Sequence, residues 1–342
     1  MTQPISKDLD KQHRRGFLKT LAVAGAGAVL AGKASPAAGA EEPSPGLVPK
    51  RQFGRHSEMV SSLALGGATL AHAASVEEAT RIVATAIDLG VTFMDNAWEY
   101  SEGRAEEWMG TALQGKRDKV FLMTKVCTHR PGQEAKDKAM AMLEDSLRRL
   151  KTDHVDLWQV HQILTDAEAD SIFITGGVLE AVEQARKQGK IRHCGFTGHA
   201  QPKVLLRVLS HRYPFDSVQM PLSAFDGHED GFQKLVLPEA IQQGIAPLAM
   251  KTLGGNAQAI KDKLITAEEA IGYALSLPVT TVVSGIDTLE WLQRNAKAAA
   301  AFKPFSKDQM VALEQRCSSK RQYEYYRRWT YLDGKPCRVG YA

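Results

Sequence analysis

The chain alternates between short apolar runs and amphipathic segments along most of its length. Each apolar run is rich in strand-forming residues, and a helical pattern follows it. These runs begin at Ser61, Val91, Val120, His154, Ile191, Phe215, Gly244 and Thr280. The alternation predicts eight successive strand–helix units, which is the arrangement of parallel β/α proteins.

Glycines mark several of the joints between a helical segment and the next strand. Gly90, Gly115, Gly189 and Gly244 occupy such joints, where glycine commonly ends a helix at C′. Eight units favour a closed (β/α)₈ TIM barrel. The alternative is an open, doubly wound sheet, which usually carries a G-x-G-x-x-G turn after its first strand. The first turn here, residues 64–75, reads ALGGATLAHAAS and lacks that spacing.

Two segments flank the barrel pattern. Residues 48–60, VPKRQFGRHSEMV, are short and polar and predict a hairpin that closes the bottom of the barrel. Residues 307–317, KDQMVALEQRC, have a helical pattern, and an aromatic tail, YEYYRRWTY, follows at residues 323–331. The predicted fold is therefore an α/β TIM barrel with an N-terminal hairpin and a C-terminal helical and aromatic tail.

The first forty residues have the three parts of an export signal. HRRGFLK at residues 13–19 precedes the apolar stretch TLAVAGAGAVLAG, and AGA at 38–40 precedes Glu41. The paired Arg14 and Arg15 resemble a twin-arginine signal, which directs folded cargo across the membrane. We therefore expect a signal peptide at 1–40, a single barrel domain at 41–342, the export machinery as a partner, and a periplasmic or other extracytoplasmic location. A basic tail before an ordinary helix is the alternative.

Composition excludes several other classes of protein. Hydrophobic residues make up 44% and charged residues 24% of the 342 residues, which is a globular balance. The net charge of +4 comes without a basic block, so we expect no nucleic acid partner. Beyond the N-terminal segment, no apolar run is long enough for a membrane span, so none is expected in the mature form.

The cysteines and histidines give no metal motif. None of the four cysteines forms a C-x-x-C pair. Cys317 and Cys337 are the expected disulfide pair, whereas Cys127 and Cys194 lie on apolar segments and are expected as free core thiols. His199 and His228 follow strands, but no third ligand has suitable spacing, so we expect no metal.

Polar residues cluster where three successive strands end. Asp95 closes the second strand, Tyr100 lies five residues later in FMDNAWEYSEG, and Lys125 and His161 lie near the ends of strands three and four. In a (β/α)₈ barrel these ends meet at one face. A lysine ammonium beside a phenol favours the phenolate, an aspartate keeps the lysine charged, and a histidine orients a carbonyl oxygen. Such a site can protonate an oxyanion as a hydride arrives.

These residues resemble the catalytic motifs of the aldo-keto reductase family. The resemblance runs from about Val48 to about Ala300 and includes RQFGRHSEMVSSLALGG, DNAWEY, the TK pair and DLWQVH. It implies carbonyl reduction or alcohol oxidation with NADP or NAD. It also implies the roles of the four residues: Tyr100 is the acid/base, Lys125 and Asp95 tune it, and His161 orients the substrate oxygen. Trp98 is expected to line the substrate pocket.

The resemblance also assigns a cofactor site along strands five to eight. The residues implied are Thr197, Gln219 and Met250 at the nicotinamide, Leu253, Gly254 and Gly255 at the pyrophosphate, Ser284 and Gly285 near the adenosine, and Asn295 at the adenine. Gly198 stands where the family often has asparagine. Asp287 and Thr288 replace the arginine that contacts the 2′-phosphate of NADP, which makes NAD an option, and Lys251 is a candidate phosphate contact.

The leading function is an NAD(P)-dependent oxidoreductase acting on a small carbonyl or alcohol. The alternatives are a non-catalytic nicotinamide-binding sensor or regulatory barrel, and a lyase or isomerase with a retained nicotinamide. The long joint after strand four, TDAEADSIFITGG at residues 165–177, suggests a substrate lid.

Overall fold

Eight parallel strands close into a barrel in the computed structural model, which describes residues 46–128 and 134–320. An antiparallel hairpin, β1 (Lys50–Gln52) and β2 (Met59–Ser61), precedes the barrel. The barrel strands are β3 (Leu63–Gly66), β4 (Phe93–Asp95), β5 (Phe121–Cys127), β6 (Val155–His161), β7 (Ile191–Thr197), β8 (Ser217–Pro221), β9 (Ala246–Met250) and β10 (Thr281–Gly285). They pair in chain order, and β10 pairs with β3 to close the ring, which confirms the predicted fold.

Helices surround the barrel. They are α1 (Gly67–Leu70), α2 (Val76–Asp88), α3 (Arg104–Ala112), α4 (Lys136–Leu150), α5 (Asp166–Ser171), α6 (Val178–Lys187), α7 (Pro202–Ser210), α8 (Phe232–Gln242), α9 (Gln258–Lys261), α10 (Ala267–Ser276), α11 (Leu289–Ala300) and α12 (Lys307–Cys317). Short 3₁₀ turns lie at Tyr100–Gly103, Arg117–Lys119 and Ala224–Asp226. No helix in these described segments is both long and apolar enough to cross a membrane.

The strands are buried on both faces, as parallel strands in barrels are. Every residue of β5 and β6 is buried. Phe121, Met123 and Leu157 belong to the cluster that fills the barrel, whereas Trp158 packs in the layer between strands and helices. Inward and outward side chains therefore alternate along these two strands. This alternation sends the next inward residue, Lys125, toward the end of the barrel where the strands finish.

The hairpin closes the opposite end of the barrel. Phe53, which lies between β1 and β2, is fully buried in the cluster that fills the barrel. Arg55 and His56 from the same turn reach Asp216, at contacts of 2.6 and 2.8 Å to its Oδ1. The hairpin therefore covers this end of the barrel with the buried ring of Phe53 and with the ion pairs to Asp216.

Three of the four glycines predicted to end a helix at C′ do so. Gly90, Gly189 and Gly244 follow α2, α6 and α8 with φ of 80°, 70° and 69°, the left-handed conformation that ends helices at C′. Gly115 is also left-handed, at 70°, but it lies one residue further from α3, in a turn before the 3₁₀ segment.

The long joint after β6 contains a helix of its own. Thr165 caps α5, and Asp170 forms an ion pair with Arg207 of α7 at 2.6 Å. The ring of Phe173 stacks on that of His211 at 3.8 Å between centroids. These contacts anchor the predicted lid to α7. The predicted signal segment, the aromatic tail and Cys337 lie outside the described residues.

Candidate active site

The end of the barrel formed by the C-terminal ends of the strands is called the catalytic mouth here. Asp95 is the last residue of β4, Lys125 lies on β5, and His161 is the last residue of β6. Tyr100 begins the 3₁₀ turn after β4. The four residues are 3%, 1%, 5% and 9% exposed, respectively. The structure therefore brings together the four catalytic candidates that the sequence indicated.

Lys125 connects the members of this group. Its Nζ forms an ion pair with Oδ1 of Asp95, donates to the carbonyl of Asn96 at 2.7 Å, and donates to the Tyr100 hydroxyl at 3.2 Å. Burial lowers the pKa of Lys125, and the charge of Asp95 opposes that change. An ammonium that donates to a phenol oxygen stabilises the phenolate relative to the phenol. The arrangement therefore supports acid/base chemistry at Tyr100.

The turn that carries Tyr100 is held in an uncommon backbone conformation. Ser101, Glu102 and Gly103 have φ of 49°, 58° and 97°, so three successive residues are left-handed. A Cβ on Gly103 would lie 2.5 Å from Cζ of Arg149. The Arg149 guanidinium also donates to the carbonyl of Trp98 at 2.8 Å. Arg149 of helix α4 therefore holds the turn that carries Tyr100 in this conformation.

Trp98 also contacts α4, the helix that holds this turn. Its indole Nε1 donates to Oδ2 of Asp145 at 2.9 Å, and the guanidinium of Arg149 lies 5.5 Å from the centre of the ring. The side chain packs in the layer between the strands and the helices. The polar edge of Trp98 is thus turned toward α4, and its contribution to the substrate pocket stays a prediction.

Glu99 is a functional candidate that sequence reasoning missed. Its Oε1 lies 2.5 Å from Nδ1 of His161, and its Oε2 accepts from Sγ of Cys127 at 3.4 Å. Cys127 pairs in register with His161 across β5 and β6, so a side chain reaching one of them meets both. The only signal in the sequence was an acidic residue directly before Tyr100.

Lys251 also belongs to the catalytic mouth. It follows β9 with a left-handed φ of 59°. Burial of its ammonium lowers its pKa, and the nearby charges of Asp95 and Lys125 act on it in opposite directions. These charge interactions place Lys251 near the catalytic group. Its contact with a phosphate of the cofactor stays a prediction.

The nicotinamide candidates line the same end of the barrel. Thr197 at the end of β7 and Gln219 within β8 are paired in register and buried. The amide Nε2 of Gln219 donates to Oδ2 of Asp95 at 3.4 Å, and its buried Oε1 has no hydrogen-bond partner among the described residues. Met250 ends β9 and packs on the cluster that fills the barrel. A carboxamide N–H would satisfy the unpaired Gln219 oxygen.

Gly198, which stands where the family often has asparagine, is closely surrounded by neighbouring atoms. A Cβ at this position would lie 2.7 Å from Cδ2 of Leu205 and 2.8 Å from the carbonyl oxygen of Ile163. Atoms do not approach this closely without rearrangement. An asparagine at this position would therefore require Leu205 and the backbone at Ile163 to move.

The remaining cofactor candidates lie on the loops after β9 and β10. Gly254 and Gly255 have φ of 77° and 97°, which glycine adopts readily, and the Leu253 side chain packs on the cluster around Phe225. Contact of this loop with the pyrophosphate stays a prediction. Past β10, Asn295 donates to Ser284 Oγ at 3.0 Å.

The residues that the resemblance assigns to the adenosine also include a hydrogen-bond acceptor without a described partner. The buried Oδ1 of Asn295 has no hydrogen-bond partner among the described residues. Gly285 ends β10, Asp287 is half-buried, and Thr288 caps α11 by accepting from Trp291 N at 3.3 Å. Gln219 and Asn295, which the resemblance places at the nicotinamide and the adenine, thus each have a buried acceptor without a partner among the described residues.

Within residues 46–128 and 134–320, one group of three side chains has metal-ligand character: His56, His193 and Asp216. It lies at the sealed base of the barrel. Arg55 and His56 both contact the same carboxylate oxygen of Asp216. Because a guanidinium already neutralises this carboxylate, the group is explained as an ion-pair network.

Comparisons with known proteins agree with this geometry. The model of the Aldo/keto reductase family matches residues 62–263, more than half of the chain. An uncharacterized oxidoreductase of Bacillus subtilis, YqkF, is 26% identical over 302 residues, covering 78% of this chain and 95% of its own. The 6-dehydroglucose reductase of Novosphingobium aromaticivorans is 28% identical over 243 residues, covering 66% of this chain and 77% of its own.

A solved structure shows the same architecture. The holo form of the aldo-keto reductase AKR11C1 from Bacillus halodurans has a TM-score of 0.65 and 25% identity, and the match covers 78% of this chain and 96% of that one. The barrel and its polar mouth thus define a nicotinamide-dependent oxidoreductase. The chain belongs to the aldo/keto reductase family.

Proposed function

We propose that the protein reduces a small carbonyl compound, or oxidises the corresponding alcohol, with Tyr100 as the general acid/base. The observation that carries this proposal is the buried Lys125 Nζ, which contacts both Asp95 and the Tyr100 hydroxyl. A structural ion pair alone does not need a phenol at this position. The same contacts are expected of a site that must release a proton from Tyr100 at neutral pH.

When bound, a nicotinamide cofactor would supply a hydride to the substrate carbon or accept one from it. In reduction, the Tyr100 hydroxyl donates its proton to the carbonyl oxygen as that oxygen becomes negative. Lys125 stabilises the resulting phenolate, and Asp95 keeps the lysine ammonium charged and in place. A proton from solvent then restores the phenol, so that one hydride and one proton are consumed for each carbonyl reduced.

This function is tested by the consumption of NADPH or NADH with a panel of aldehydes, ketones and oxidised sugars. Sugar carbonyls are included because a relative is a 6-dehydroglucose reductase. Denaturing the purified protein and analysing the released nucleotide by mass spectrometry identifies any retained cofactor. We expect turnover with at least one carbonyl class. Tight nucleotide binding without turnover of any substrate would instead support the regulatory barrel.

Nucleotide preference follows from the loop after β10. Asp287 and Thr288 stand where the resemblance places an arginine, and each lost charge-assisted hydrogen bond to the 2′-phosphate is worth about 1.5–3 kcal/mol. At about 1.4 kcal/mol per decade, this removes roughly one to two decades of NADP preference. We therefore expect weak discrimination against NAD, and Asp287→Arg should strengthen NADP binding selectively.

Binding titrations of both nucleotides check this expectation. Asp118→Arg makes the same change of charge near the start of β5, at the other end of the barrel, and it should leave both dissociation constants unchanged. Strong NADP preference in the wild type, together with no gain in Asp287→Arg, would show that another part of the chain binds the 2′-phosphate.

For the N-terminal forty residues, the proposal is export through the twin-arginine route to an extracytoplasmic location. Support comes from Arg14 and Arg15 before an apolar stretch and a small-residue cleavage site. Replacing both arginines by lysine should leave an uncleaved precursor in the cytoplasm, as judged by fractionation and by intact mass. Unchanged export of the double variant would indicate a different route, and loading of the cofactor before export would lose its support.

A further inference from the structure

Glu99 is a buried carboxylate in direct contact with the histidine of the catalytic mouth. Its Oε1 lies 2.5 Å from Nδ1 of His161, and the two side chains are only 4% and 6% exposed. Little water is available to screen the contact. The protonation states of the two groups are therefore coupled and must be considered together.

The contact at Nδ1 restricts what the other ring nitrogen can do. If Glu99 is ionised and the His161 imidazole is neutral, the adjacent carboxylate favours the ring proton on Nδ1. Nε2 is then only an acceptor. A carbonyl oxygen is also an acceptor, so this state cannot stabilise it. If the pair holds one more proton, on the ring or on the carboxyl group, Nε2 carries a hydrogen and can donate.

The groups around the pair favour the ring as the site of that proton. The Tyr100 ring meets the His161 ring edge-on, with centroids 5.5 Å apart. Cys127 and Lys125 face the pair from β5, and the charge of Lys125 is coupled to the carboxylate of the pair. Asp95 and Lys251 contribute one charge of each sign at the same mouth. A neighbouring ammonium stabilises the ionised carboxylate, so the shared proton resides on the imidazole.

We propose that Glu99 and His161 form a proton-holding pair, in which Glu99 orients the imidazole through Nδ1 and maintains an N–H donor at Nε2 for the substrate oxygen. This inference rests on the proposed carbonyl chemistry. Glu99 acts through His161, so it is a positioning residue. The substrate oxygen is then stabilised by a charged donor as well as by the Tyr100 hydroxyl.

Glu99→Gln tests the pair, because it keeps the shape of the side chain and removes its charge. The protonation midpoint of the His161 ring is measured by NMR on the purified protein, with and without NADP⁺, and His161→Gln assigns the signal. We expect the midpoint to fall by about 1–3 pH units in Glu99→Gln. At a pH above the midpoint, kcat for reduction should fall about tenfold for each unit of that shift, while KM for the nucleotide is unchanged.

Cys127→Ala is the matched control, because it removes the other contact of Glu99 and keeps the one to His161. Its His161 midpoint should equal that of the wild type. An identical midpoint in Glu99→Gln and wild type would overturn the pair. If the wild type reduced no carbonyl, the proposed function would fail, yet the NMR comparison would still decide whether the pair exists.

Discussion

Tyr100→Phe lowers kcat for carbonyl reduction by a factor of ~10² to 10⁴ and leaves the affinity for the nicotinamide nucleotide nearly unchanged. The phenol acts on the substrate oxygen, and the substitution removes only its hydroxyl group. The ring remains available to pack against His161 and over the Lys125 ammonium, which lies 4.8 Å from the ring centre. Binding and turnover should therefore separate.

Steady-state kinetics and a nucleotide titration measure the two effects. Tyr213→Phe is the control, since its hydroxyl bonds Glu183 at an exposed position outside the catalytic mouth, and its kcat should match the wild type. Equal rates for Tyr100→Phe and wild type on a true substrate would remove Tyr100 from the acid/base role.

The second large effect is expected for Lys125→Met. The substitution keeps most of the apolar stem but leaves the Asp95 carboxylate buried without its ion-pair partner. Removing one member of a buried pair typically costs about 3–5 kcal/mol. Because Lys251 also interacts with Asp95, we expect a loss near the lower end of that range. Turnover should be lost as well, since the phenolate of Tyr100 would have no ammonium donor.

Urea unfolding followed by circular dichroism measures the loss of stability. The double variant Asp95→Asn/Lys125→Met removes both charges and should recover much of the stability without recovering activity. Lys119→Met, at an exposed position, is the control for the loss of a surface lysine. If Lys125→Met were as stable as Lys119→Met, the Asp95–Lys125 contact would not be a buried ion pair in solution.

The fold was predictable from the sequence because the barrel repeats one strand–helix unit eight times, and each unit shows the same hydrophobic pattern. Period-two burial along each strand decides which side chains enter the barrel, so the positions of Lys125 and His161 followed from counting residues. Asp95 ends the neighbouring strand and Tyr100 follows in the next turn, so both were expected near Lys125 and His161. These four residues could be recognised from spacing and chemistry alone.

Residues in the turns could not be placed in this way. Glu99 and Lys251 reach the catalytic mouth from irregular backbone, where no periodicity indicates the direction of a side chain. The orientation of Trp98 depends on Asp145 and Arg149, which are distant in sequence and come from α4. Tertiary contacts of this kind decide side-chain direction in loops, and a single sequence does not display them.

The packing at Gly198 has a consequence for engineering the protein. Leu205 and the Ile163 carbonyl occupy the space of a Cβ, so positions 198 and 205 are coupled. A side chain at position 198 requires Leu205 to take another rotamer and the backbone at Ile163 to move. A library that varies position 198 should therefore vary Leu205 with it.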